Sequence, residues 1–582
     1  MKVIAATLNA KYIHTSLSIR YLKAYAAPEF DVELAEYTIK DPAMNIVSDI
    51  HSRKPDVIGF SCYIWNIEET IKIIHLLKKI NPSIIIVLGG PEVSYDTEYW
   101  LTRLQGMADY IVIGEGEVTF KELLATLEKK QPVDSLSGIG YYKDGKPAIR
   151  LANGKVDLKK LPSPYRFPED RADLTKRVVY IETSRGCPFN CQFCLSSIEI
   201  GVRYFSRESI KSDIRYLLDN GAKTIKFVDR TFNISRSYAM EMFQFLIDEH
   251  TPGSVFQFEI TADIMRPEVI SFLNEHAPPG LFRFEIGVQS TNDYTNELVK
   301  RKQNFDKLKR TVTMVKEGGK IDQHLDLIAG LPEENYGSFK KTFNDVFAME
   351  PEELQLGFLK MLRGTGLRIN SEEFGYVYSD YSPYEIVSNN VLSFDDIIKI
   401  KQVEDVLEKY WNDHRMVRTI GYITKEAFPT PFDFFQEFGT YWEQKGWSKI
   451  GHQLEDLFRR LYSFLEDIGI SSIGHILDLM IIDYYGQSRF KPRKQWFSSR
   501  LTDEERKMYY QKLLSAPGQG AFAALGLNQK DLYKHTIMEL IGCNEQGEIQ
   551  DSPIILLAYF DPAGTGSSLF TFRADMLKQD PS

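Results

Sequence analysis

Apolar runs alternate with helical patterns along the first part of the chain. Short runs rich in β-branched residues predict strands at Lys2–Leu8, Val32–Ile39, Val57–Cys62, Ile84–Leu88 and Tyr110–Ile113. The fourth run has no alternation of apolar and polar positions, which is typical of a central strand buried on both faces. We therefore expect residues 1–135 to form a doubly wound, Rossmann-like α/β domain around a parallel sheet.

A second alternating series starts at about residue 176. Between the two series, residues 136–175 are expected to form a hairpin with an Asp144-Gly145 turn and a proline-stiffened linker. Strands are predicted near Val178, Ile225, Phe256, Phe282, His324–Ile328 and Leu354. This number of βα units is too small for a closed eight-stranded barrel, so residues 176–388 are predicted to form a partial (βα)6 barrel.

The last part of the chain, residues 389–582, has a largely helical pattern and no readable chemical motif. We predict helices at Asp395–Trp411, Pro431–Gln444, Gln453–Ile468 and Ile473–Tyr485, and a strand pair near Thr536–Ile541 and Ile554–Phe560. The aromatic face of the second helix is more typical of a core than of a partner surface.

Composition narrows the class of protein. The chain has 582 residues, 43% of them hydrophobic and 26% charged, as expected for several folded domains. No apolar run approaches the ~18 residues that would span a bilayer, and the first residues are too short for a signal peptide, so we expect no membrane partner. A net charge of −10 disfavours a general nucleic-acid binder, and the basic run 489–496 is more typical of a solvated loop.

Three of the five cysteines lie close together, as Cys187, Cys191 and Cys194 in a C-x3-C-x2-C pattern. Three thiolates on one short loop can hold three irons of a [4Fe–4S] cube and leave the fourth iron open to an external ligand. A structural zinc site would need a fourth ligand in a paired pattern, and none follows; an odd set this close does not pair as disulfides. Cys62 and Cys543 are too few for a second cluster, and cysteine usage of this kind fits a reducing cytoplasm.

This triad resembles the signature of the radical S-adenosylmethionine (SAM) superfamily. The resemblance implies a cluster that cleaves SAM reductively to a 5′-deoxyadenosyl radical, supplied by an electron donor of the reduced flavodoxin or ferredoxin type. It places SAM contacts at the carboxyl ends of the barrel strands. The residues that match are Asp229, Arg230, Glu259, Glu285, Gln289, Ser290, Arg301 and Asp326. Arg301, expected on the helix after the fourth strand, would pair with the SAM carboxylate. The alternative for each charged residue is a structural ion pair.

The first domain resembles the cobalamin-binding domain that precedes the barrel in one large class of radical SAM enzymes. The matching segments are Asn9–Leu17, Ser61–Tyr63, Gly89–Glu92 and Gly114–Glu117. The resemblance implies that cobalamin lies over the carboxyl ends of the strands. The expected contacts are Tyr12, His14, Ser61, Tyr63, Trp65, Asn66, Gly89, Gly90, Glu92, Gly114 and Glu115.

The first loop departs from the D-x-H-x-x-G pattern of cobalt-ligating domains. His14 remains, but Tyr12 stands in place of the Asp and Leu17 in place of the Gly. Without an Asp to orient the imidazole, we expect His14 to pack near the domain interface and the lower face of cobalt to be unligated or water-bound; His14 as the cobalt ligand is the alternative. An unrelated nucleotide-binding sheet and a domain that has lost its cofactor are the alternatives; no G-x-G-x-x-G follows the first strand.

Together, these patterns favour a cytoplasmic, cobalamin-dependent radical SAM enzyme, with methyl transfer to an unactivated carbon as the reaction that the resemblance implies. The substrate, a small molecule or a peptide, is not identified by the sequence. A cyclisation or rearrangement without net methylation is the alternative reaction. A cobalamin or redox sensor, whose helical tail signals to a partner, is the alternative from another class.

Overall fold

The computed structural model describes residues 1–198, 200–515 and 529–575. Contacts divide the chain into two units, residues 1–351 with 356–397, and residues 352–355 with 398–582. The first unit therefore includes both the first domain and the barrel, and it extends past the predicted boundary at residue 388. Within the described residues, no helix is both long enough and apolar enough to cross a bilayer.

The first domain is built on a seven-stranded sheet with the order β2-β1-β3-β4-β5-β6-β7. Its strands are β1 (Val3–Asn9), β2 (Val32–Thr38), β3 (Val57–Ser61), β4 (Ile85–Gly89), β5 (Tyr110–Val112), β6 (Ile139–Lys143) and β7 (Lys146–Arg150). Its helices are α1 (Leu17–Ala26), α2 (Ala43–Arg53), α3 (Ile67–Ile80), α4 (Pro91–Ser94), α5 (Thr97–Arg103) and α6 (Gly116–Glu128). The first five strands pair in parallel.

Both faces of this sheet are covered. In β1, Val3 and Ala5 pack into one apolar core, while Ile4, Ala6 and Leu8 pack into the other. The doubly wound architecture is therefore confirmed. The predicted hairpin does form, but it is not part of a linker: β6 pairs antiparallel with β5 and extends the sheet.

The second domain is a six-stranded sheet with the order β15-β14-β13-β12-β11-β8, which confirms the predicted partial barrel. The strands from here on are β8 (Val178–Ile181), β9 (Ser184–Arg185), β10 (Arg203–Tyr204), β11 (Thr224–Phe227), β12 (Val255–Ile260), β13 (Phe282–Gln289), β14 (Asp322–Ala329), β15 (Glu353–Phe358), β16 (Val377–Tyr378) and β17 (Ile386–Ser388). The helices are α7 (Arg207–Asp219), α8 (Arg236–Glu249), α9 (Pro267–His276), α10 (Asp293–Leu298), α11 (Phe305–Gly318), α12 (Tyr336–Phe347) and α13 (Gly366–Ile369).

Alternation along the barrel strands separates an apolar face from a polar one. Phe227, Phe258 and Phe284 are fully buried on one side of the sheet. The neighbouring positions Lys226, Glu259 and Glu285 are only half-buried and lie on the other side. The barrel therefore presents charged side chains on the face that would line its interior.

The second unit is mainly helical and ends in an antiparallel sheet of order β18-β19-β20. Its elements, beginning with a helix that starts just before the boundary, are α14 (Phe394–Leu407), α15 (Val417–Tyr422), α16 (Pro431–Gln444), α17 (Leu454–Asp467), α18 (Ile473–Gln487), α19 (Asp503–Ser515), α20 (Gln529–His535), β18 (Thr536–Cys543), β19 (Ile549–Phe560) and β20 (Ser567–Arg573). π-helical turns of this unit occupy Glu408–Asn412 and Ile423–Ala427, and a 3-10 turn lies at Trp447–Lys449. The first unit has short 3-10 turns at Val133–Ser135, Leu158–Lys160, Pro168–Asp170, Leu195–Ser197, Phe232–Ile234 and Ala262–Ile264.

Most of the predictions for this unit are confirmed. The four predicted helices form, and Phe432, Phe434, Phe435, Phe438 and Trp442 are buried, so most of the aromatic face of α16 belongs to the core. The predicted strand pair also forms, but a third strand, β20, was missed. Its side chains are mostly half-buried, so the sequence lacks the apolar signal that marked β18 and β19.

Candidate functional site

The three cysteines lie on a loop that leaves the first barrel strand. Strands β9 and β10 pair antiparallel at the base of this loop, and the Gly201 amide donates to the Cys187 carbonyl at 3.0 Å. On the far side, the Gln192 amide donates to the Val299 carbonyl at 2.9 Å, and the Leu367 amide donates to the Gln192 carbonyl at 3.0 Å. The loop is thus held by backbone hydrogen bonds at both ends.

The cysteine thiols are shielded from solvent to different degrees. Cys187 is buried, while Cys191 and Cys194 are half-buried. Burial raises the pKa of the Cys187 and Cys191 thiols, and the Arg301 guanidinium beside Cys191 acts in the opposite direction. Bound iron deprotonates its thiol ligands, so three thiols on one braced loop suit a cluster.

Asp229 supports this loop from inside the protein. Its carboxylate is buried and accepts hydrogen bonds from the Thr183 amide at 3.1 Å, the Thr183 hydroxyl at 2.8 Å and the Ser184 hydroxyl at 2.5 Å. All of these donors belong to the two residues that open the cysteine loop. The Asp229 side chain therefore braces the loop, because its oxygens already have partners within the protein, and its contact with SAM stays a prediction.

Arg301 approaches the cysteine loop from the other side of the barrel top. It lies in the loop that follows α10, not on a helix as expected, and its amide donates to the Asn296 carbonyl at 2.8 Å. One guanidinium nitrogen donates to the Gly287 carbonyl, and Nε donates to Gln303 Oε1 at 3.0 Å. The guanidinium is therefore oriented beside Cys191, where an anionic group could pair with it.

Gln289 lies next to Arg301 in a strained conformation. Its φ is +68°, in the left-handed region, and the pairing of β13 with β14 shifts register between Gly287 and Gln289. Its buried Oε1 has no hydrogen-bond partner among the described residues. A Cβ on Gly287 would lie 2.4 Å from Gln289 Nε2, so a larger residue there would displace the Gln289 amide. Strain and an unpaired buried acceptor beside an arginine fit a polar ligand such as SAM.

Ser290 braces this corner instead of lining it. It is fully buried, and its hydroxyl donates to Glu334 Oε1 at 2.5 Å, while its contact with SAM stays a prediction. Its carbonyl accepts from Asn296 Nδ2 at 3.0 Å and from Gln303 Nε2 at 3.1 Å. Burial raises the pKa of Glu334 to about 7. Sequence reasoning missed Glu334, although it follows closely after the Gly-Leu-Pro turn at the end of β14.

The remaining predicted carboxylates lie on the polar face of the barrel. Lys226 Nζ donates to both oxygens of Glu285, at 2.7 and 2.6 Å. Burial raises the pKa of Glu259, and the positive charges of Arg230 and Lys226 act against this rise. Arg230 is exposed in the loop after β11, so it is free to turn toward a ligand at the strand ends.

A second polar chain crosses the two neighbouring strands. Arg283 lies 2.9 Å from His324 Nδ1, and His324 Nε2 lies 3.0 Å from Asp326 Oδ1. Lys226, Arg283 and His324 were not among the predicted site residues. Each is a charged or titratable residue at an inward position of an otherwise apolar strand, which is the signal that could have found them.

The carboxyl edge of the first sheet carries hydroxyl and aromatic groups. The Ser61 hydroxyl lies 2.9 Å from the Ser18 hydroxyl, and the Tyr63 hydroxyl donates to Ser18 at 3.2 Å. Tyr63 stacks on Trp65 with ring centroids 4.3 Å apart and planes 5° from parallel, and Trp65 is 48% exposed. Asn66, in contrast, is fully buried and donates to the Leu8 and Ser61 carbonyls, so it does not face a corrin as expected.

His14 lies at the junction of the two domains, in agreement with the expectation for its packing. Its backbone bridges to Val178, at the start of the barrel edge strand β8. Its Nδ1 lies 2.7 Å from the hydroxyl of Tyr180 on the same strand. Arg177 Nε donates to the Tyr12 carbonyl at 3.1 Å. Burial and nearby positive charge lower the pKa of His14, so the imidazole is neutral at pH 7.

Gly89 and Gly90 let the chain pass close to the neighbouring strand. Gly90 has a φ of +104°, and a Cβ there would lie 2.5 Å from the Cys62 carbonyl oxygen. Glu92, two residues later, is buried and accepts from the Tyr384 hydroxyl at 2.5 Å; burial raises its pKa to about 7. It therefore binds a segment that follows the barrel, and its contact with cobalamin stays a prediction.

Two acidic residues after β5 bind arginines that flank the cysteine loop. Glu115 pairs with Arg203 and accepts from the Val156 amide at 3.0 Å, and its contact with cobalamin stays a prediction. Glu117 accepts from Arg185 at 2.7 Å, and Arg185 also donates to Glu182 at 2.7 Å. The Arg185 contacts were not anticipated, although Arg185 stands directly before the Gly-Cys of the triad.

The same edge of the sheet fits a large flat ligand. Tyr12, Ile13 and Trp65 are 60%, 44% and 48% exposed there, and a Cβ on Gly114 would meet nothing within 4 Å. Open α/β sheets bind their cofactors at the carboxyl ends of the parallel strands, and exposed apolar side chains at such a place mark a binding site. The residues present at this edge thus fit a large flat cofactor such as a corrin.

Family models match three successive parts of the chain. Residues 3–124 match the B12 binding domain, residues 181–346 match the radical SAM superfamily, and residues 372–557 match a protein family of unknown function, DUF4080. The first two matches imply cobalamin, SAM and a [4Fe–4S] cluster as cofactors. These matches confirm the resemblance and the cofactor set expected from the sequence.

Individual relatives are similar to parts of the chain. An uncharacterized methyltransferase, PH0819 of Pyrococcus horikoshii, is 31% identical over 39% of this chain and 51% of its own length. The cobalamin-dependent radical SAM methyltransferase TokK of Streptomyces tokunonensis is 30% identical over 40% of this chain and 36% of its own. The chain thus spans about half or less of the length of these relatives.

Solved structures resemble a larger part of the chain. The cobalamin-dependent SAM radical enzyme OxsB with aqua-cobalamin bound covers 83% of this chain and 80% of its own, with a TM-score of 0.57 and 16% identity. At this identity, the likeness concerns the fold alone.

Proposed function

Taking the chain as a radical SAM protein that carries a B12-binding domain and a DUF4080 region, we propose that it is a cobalamin-dependent methyltransferase that acts on an unactivated carbon. The methyltransferases among its relatives support the reaction class. Their similarity covers too little of the chain to identify the substrate.

One observation carries the proposal: the ligand edge of the first domain is joined directly to the cluster loop. Glu117, after the fifth strand of the first sheet, binds Arg185, and Arg185 precedes the first cluster cysteine by two positions. Glu115 pairs with Arg203 on the strand opposite Arg185. A cofactor over the first sheet would therefore lie next to SAM on the barrel, as methyl transfer to a carbon radical requires.

The protein residues have separate tasks in this proposal. When bound, the cluster supplies the electron that cleaves SAM, and cobalamin supplies the methyl group that is transferred. Arg301 pairs with the SAM carboxylate, and the unpaired Gln289 Oε1 accepts from a ribose hydroxyl. His14 is hydrogen-bonded through Nδ1 to Tyr180, and in this proposal it packs at the junction of the two domains instead of holding cobalamin.

The polar face of the barrel is the proposed substrate site. Lys226 and Arg283 supply positive charge there, Glu259, Glu285 and Asp326 supply carboxylates, and His324 supplies an imidazole between Arg283 and Asp326. A closed barrel would fill this space with apolar side chains, whereas these groups fit a polar substrate held beneath SAM. The electron donor is proposed to be a reduced flavodoxin or ferredoxin in the cytoplasm.

The test is turnover with SAM labelled in its methyl group. The full chain, purified anaerobically with iron and cobalamin, is incubated with reductant and with extract of the source cells, and labelled products are sought by mass spectrometry. We expect 5′-deoxyadenosine together with a labelled product. Formation of 5′-deoxyadenosine without labelled product would favour cyclisation or rearrangement. Absence of any SAM cleavage by fully loaded protein would favour a sensor.

A further inference from the structure

Three donor side chains of different chemistry converge in the DUF4080 region, and none of them is among the cofactor residues described above. His475 and Asp478 lie one turn apart on α18, and Cys543 is the last residue of β18. One ligand atom from each of the three lies within 4.8 Å of the others, the only such group found among the described residues. The group joins a helix to a sheet that are far apart in sequence.

Two of these donors have lone pairs that the protein does not otherwise use. Cys543 is fully buried, and its thiol has no hydrogen bond in the described part of the chain. Burial and the charge of Asp478 raise the pKa of this thiol, and two arginines act in the opposite direction. His475 is half-buried and packs edge-on against Tyr422, with ring centroids 4.7 Å apart. Burial lowers the pKa of His475, which keeps its imidazole neutral and able to bind a metal ion.

Asp478 is held in place by two other groups. Its Oδ2 accepts from the Gly542 amide at 2.9 Å, and its Oδ1 accepts from Arg500. A Cβ on Gly542 would lie 3.2 Å from Oδ2, so a glycine lets the end of β18 approach the carboxylate and brings Cys543 beside it. A carboxylate held from behind by an arginine and an amide keeps lone pairs for a metal ion, as carboxylate ligands commonly do.

We propose that His475, Asp478 and Cys543 bind a single zinc-type divalent cation that locks α18 to β18. An imidazole, a carboxylate and a thiolate are the donors that zinc accepts, and three protein ligands leave a fourth position for water. Tetrahedral zinc would bring these donors to about 3.4–3.6 Å from one another, a small closure by side-chain rotation. Binding releases the Cys543 thiol proton to solvent and involves no redox change.

The experiment separates this site from the cluster. The full chain carrying C187S/C191S/C194S is produced without cobalamin, dialysed against metal-free buffer, and analysed for bound zinc after zinc addition. Co(II) is then titrated as a spectroscopic substitute. Cys543→Ser and His475→Gln are introduced into the same background, with Cys62→Ser as the matched control because Cys62 is also a buried free thiol.

We expect one zinc per chain in the background and in the Cys62→Ser control. Cys543→Ser and His475→Gln should each weaken zinc binding at least ~100-fold, since even changes to residues behind the ligands cost up to that factor. Co(II) should give a thiolate charge-transfer band that Cys543→Ser abolishes. If Cys543→Ser fails to fold in the presence of chelator, zinc binding by His475→Gln tests the proposal, because His475 is only half-buried. Equal zinc in all variants, or a background without zinc or the Co(II) band, would overturn the proposal.

Discussion

Arg185 is the residue whose removal should weaken the junction between the first domain and the cysteine loop most severely. Its guanidinium donates to Glu117 and to Glu182, both at 2.7 Å, and lies 3.6 Å from Glu115. It also lies over the Tyr21 ring, 5.3 Å from the centroid. Arg185→Ala would leave the carboxylates of Glu117 and Glu182 without their cation.

The size of the effect follows from burial. The side chains of Arg185, Glu117 and Glu182 are 15%, 6% and 14% exposed, so the carboxylates cannot recover full hydration. Breaking a buried pair by removing one partner costs about 3–5 kcal/mol. The matched control is Arg215→Ala, whose pair with Glu249 is 48% and 36% exposed and is worth at most about 1 kcal/mol.

The assay compares urea unfolding and iron content of the anaerobically purified variants. Arg185→Ala should unfold at lower urea than Arg215→Ala and should retain less iron, because Arg185 stands next to Gly186 in the cysteine loop. The double variant R185A/E117Q should lose less stability than the sum of the losses in the two single variants, since E117Q removes one uncompensated carboxylate. Equal unfolding and iron content in Arg185→Ala and Arg215→Ala would refute the role given to this junction.

Three further predictions concern single positions. Arg301→Lys should weaken SAM binding about 10–100-fold without loss of iron, because a lysine cannot reproduce the forked pairing with a carboxylate; isothermal titration would measure it. Gly90→Ala should destabilise the protein more than Gly106→Ala, since both have positive φ but only the Gly90 Cβ would collide with backbone, and thermal unfolding would show the difference. The free energy of unfolding should fall between about pH 4.5 and 7, and Glu334→Gln should reduce this fall. The control E333Q, at an exposed neighbouring position, should leave the pH dependence unchanged.

The sign of the pH effect follows from the direction of the pKa shift. Burial raises the pKa of Glu334 in the folded protein to about 7, so the folded state binds its proton more tightly than the unfolded state. Stability from this group is present below the unfolded pKa and is lost as pH rises to the folded value, by up to about 3 kcal/mol. A parallel pH profile for wild type and E334Q would contradict this. Likewise, unchanged SAM affinity in Arg301→Lys, or equal stability of the two glycine variants, would contradict those predictions.

The architecture could be predicted from periodicity because the buried strands carry it in local sequence. Continuous apolar runs, as in β3 and β4, indicate strands with two apolar faces. Alternation of apolar and polar residues, as in β12 and β13, indicates strands with one apolar face. The hairpin β6–β7 was recognised by its Asp144-Gly145 turn, but its attachment to β5 is a long-range pairing that local pattern does not contain.

The candidate site was harder to predict, because motif position does not tell which way a side chain points. Asp229, Ser290 and Asn66 match the expected segments, yet each turns inward and braces the backbone. Arg185 and Glu334 were missed because one important partner of each lies tens of residues away, Glu117 for Arg185 and Ser290 for Glu334. Polar residues at inward strand positions, such as Lys226, were the signal that the sequence did contain.

The central claim is that the Cys187, Cys191 and Cys194 loop holds a cluster that cleaves SAM beside cobalamin. The most direct measurement is 5′-deoxyadenosine formation by the anaerobic, iron- and cobalamin-loaded full chain with reductant, compared with the C187S/C191S/C194S variant. We predict sustained 5′-deoxyadenosine formation by the wild type and none by the variant. Loaded wild-type protein that forms no more 5′-deoxyadenosine than the variant would contradict the claim.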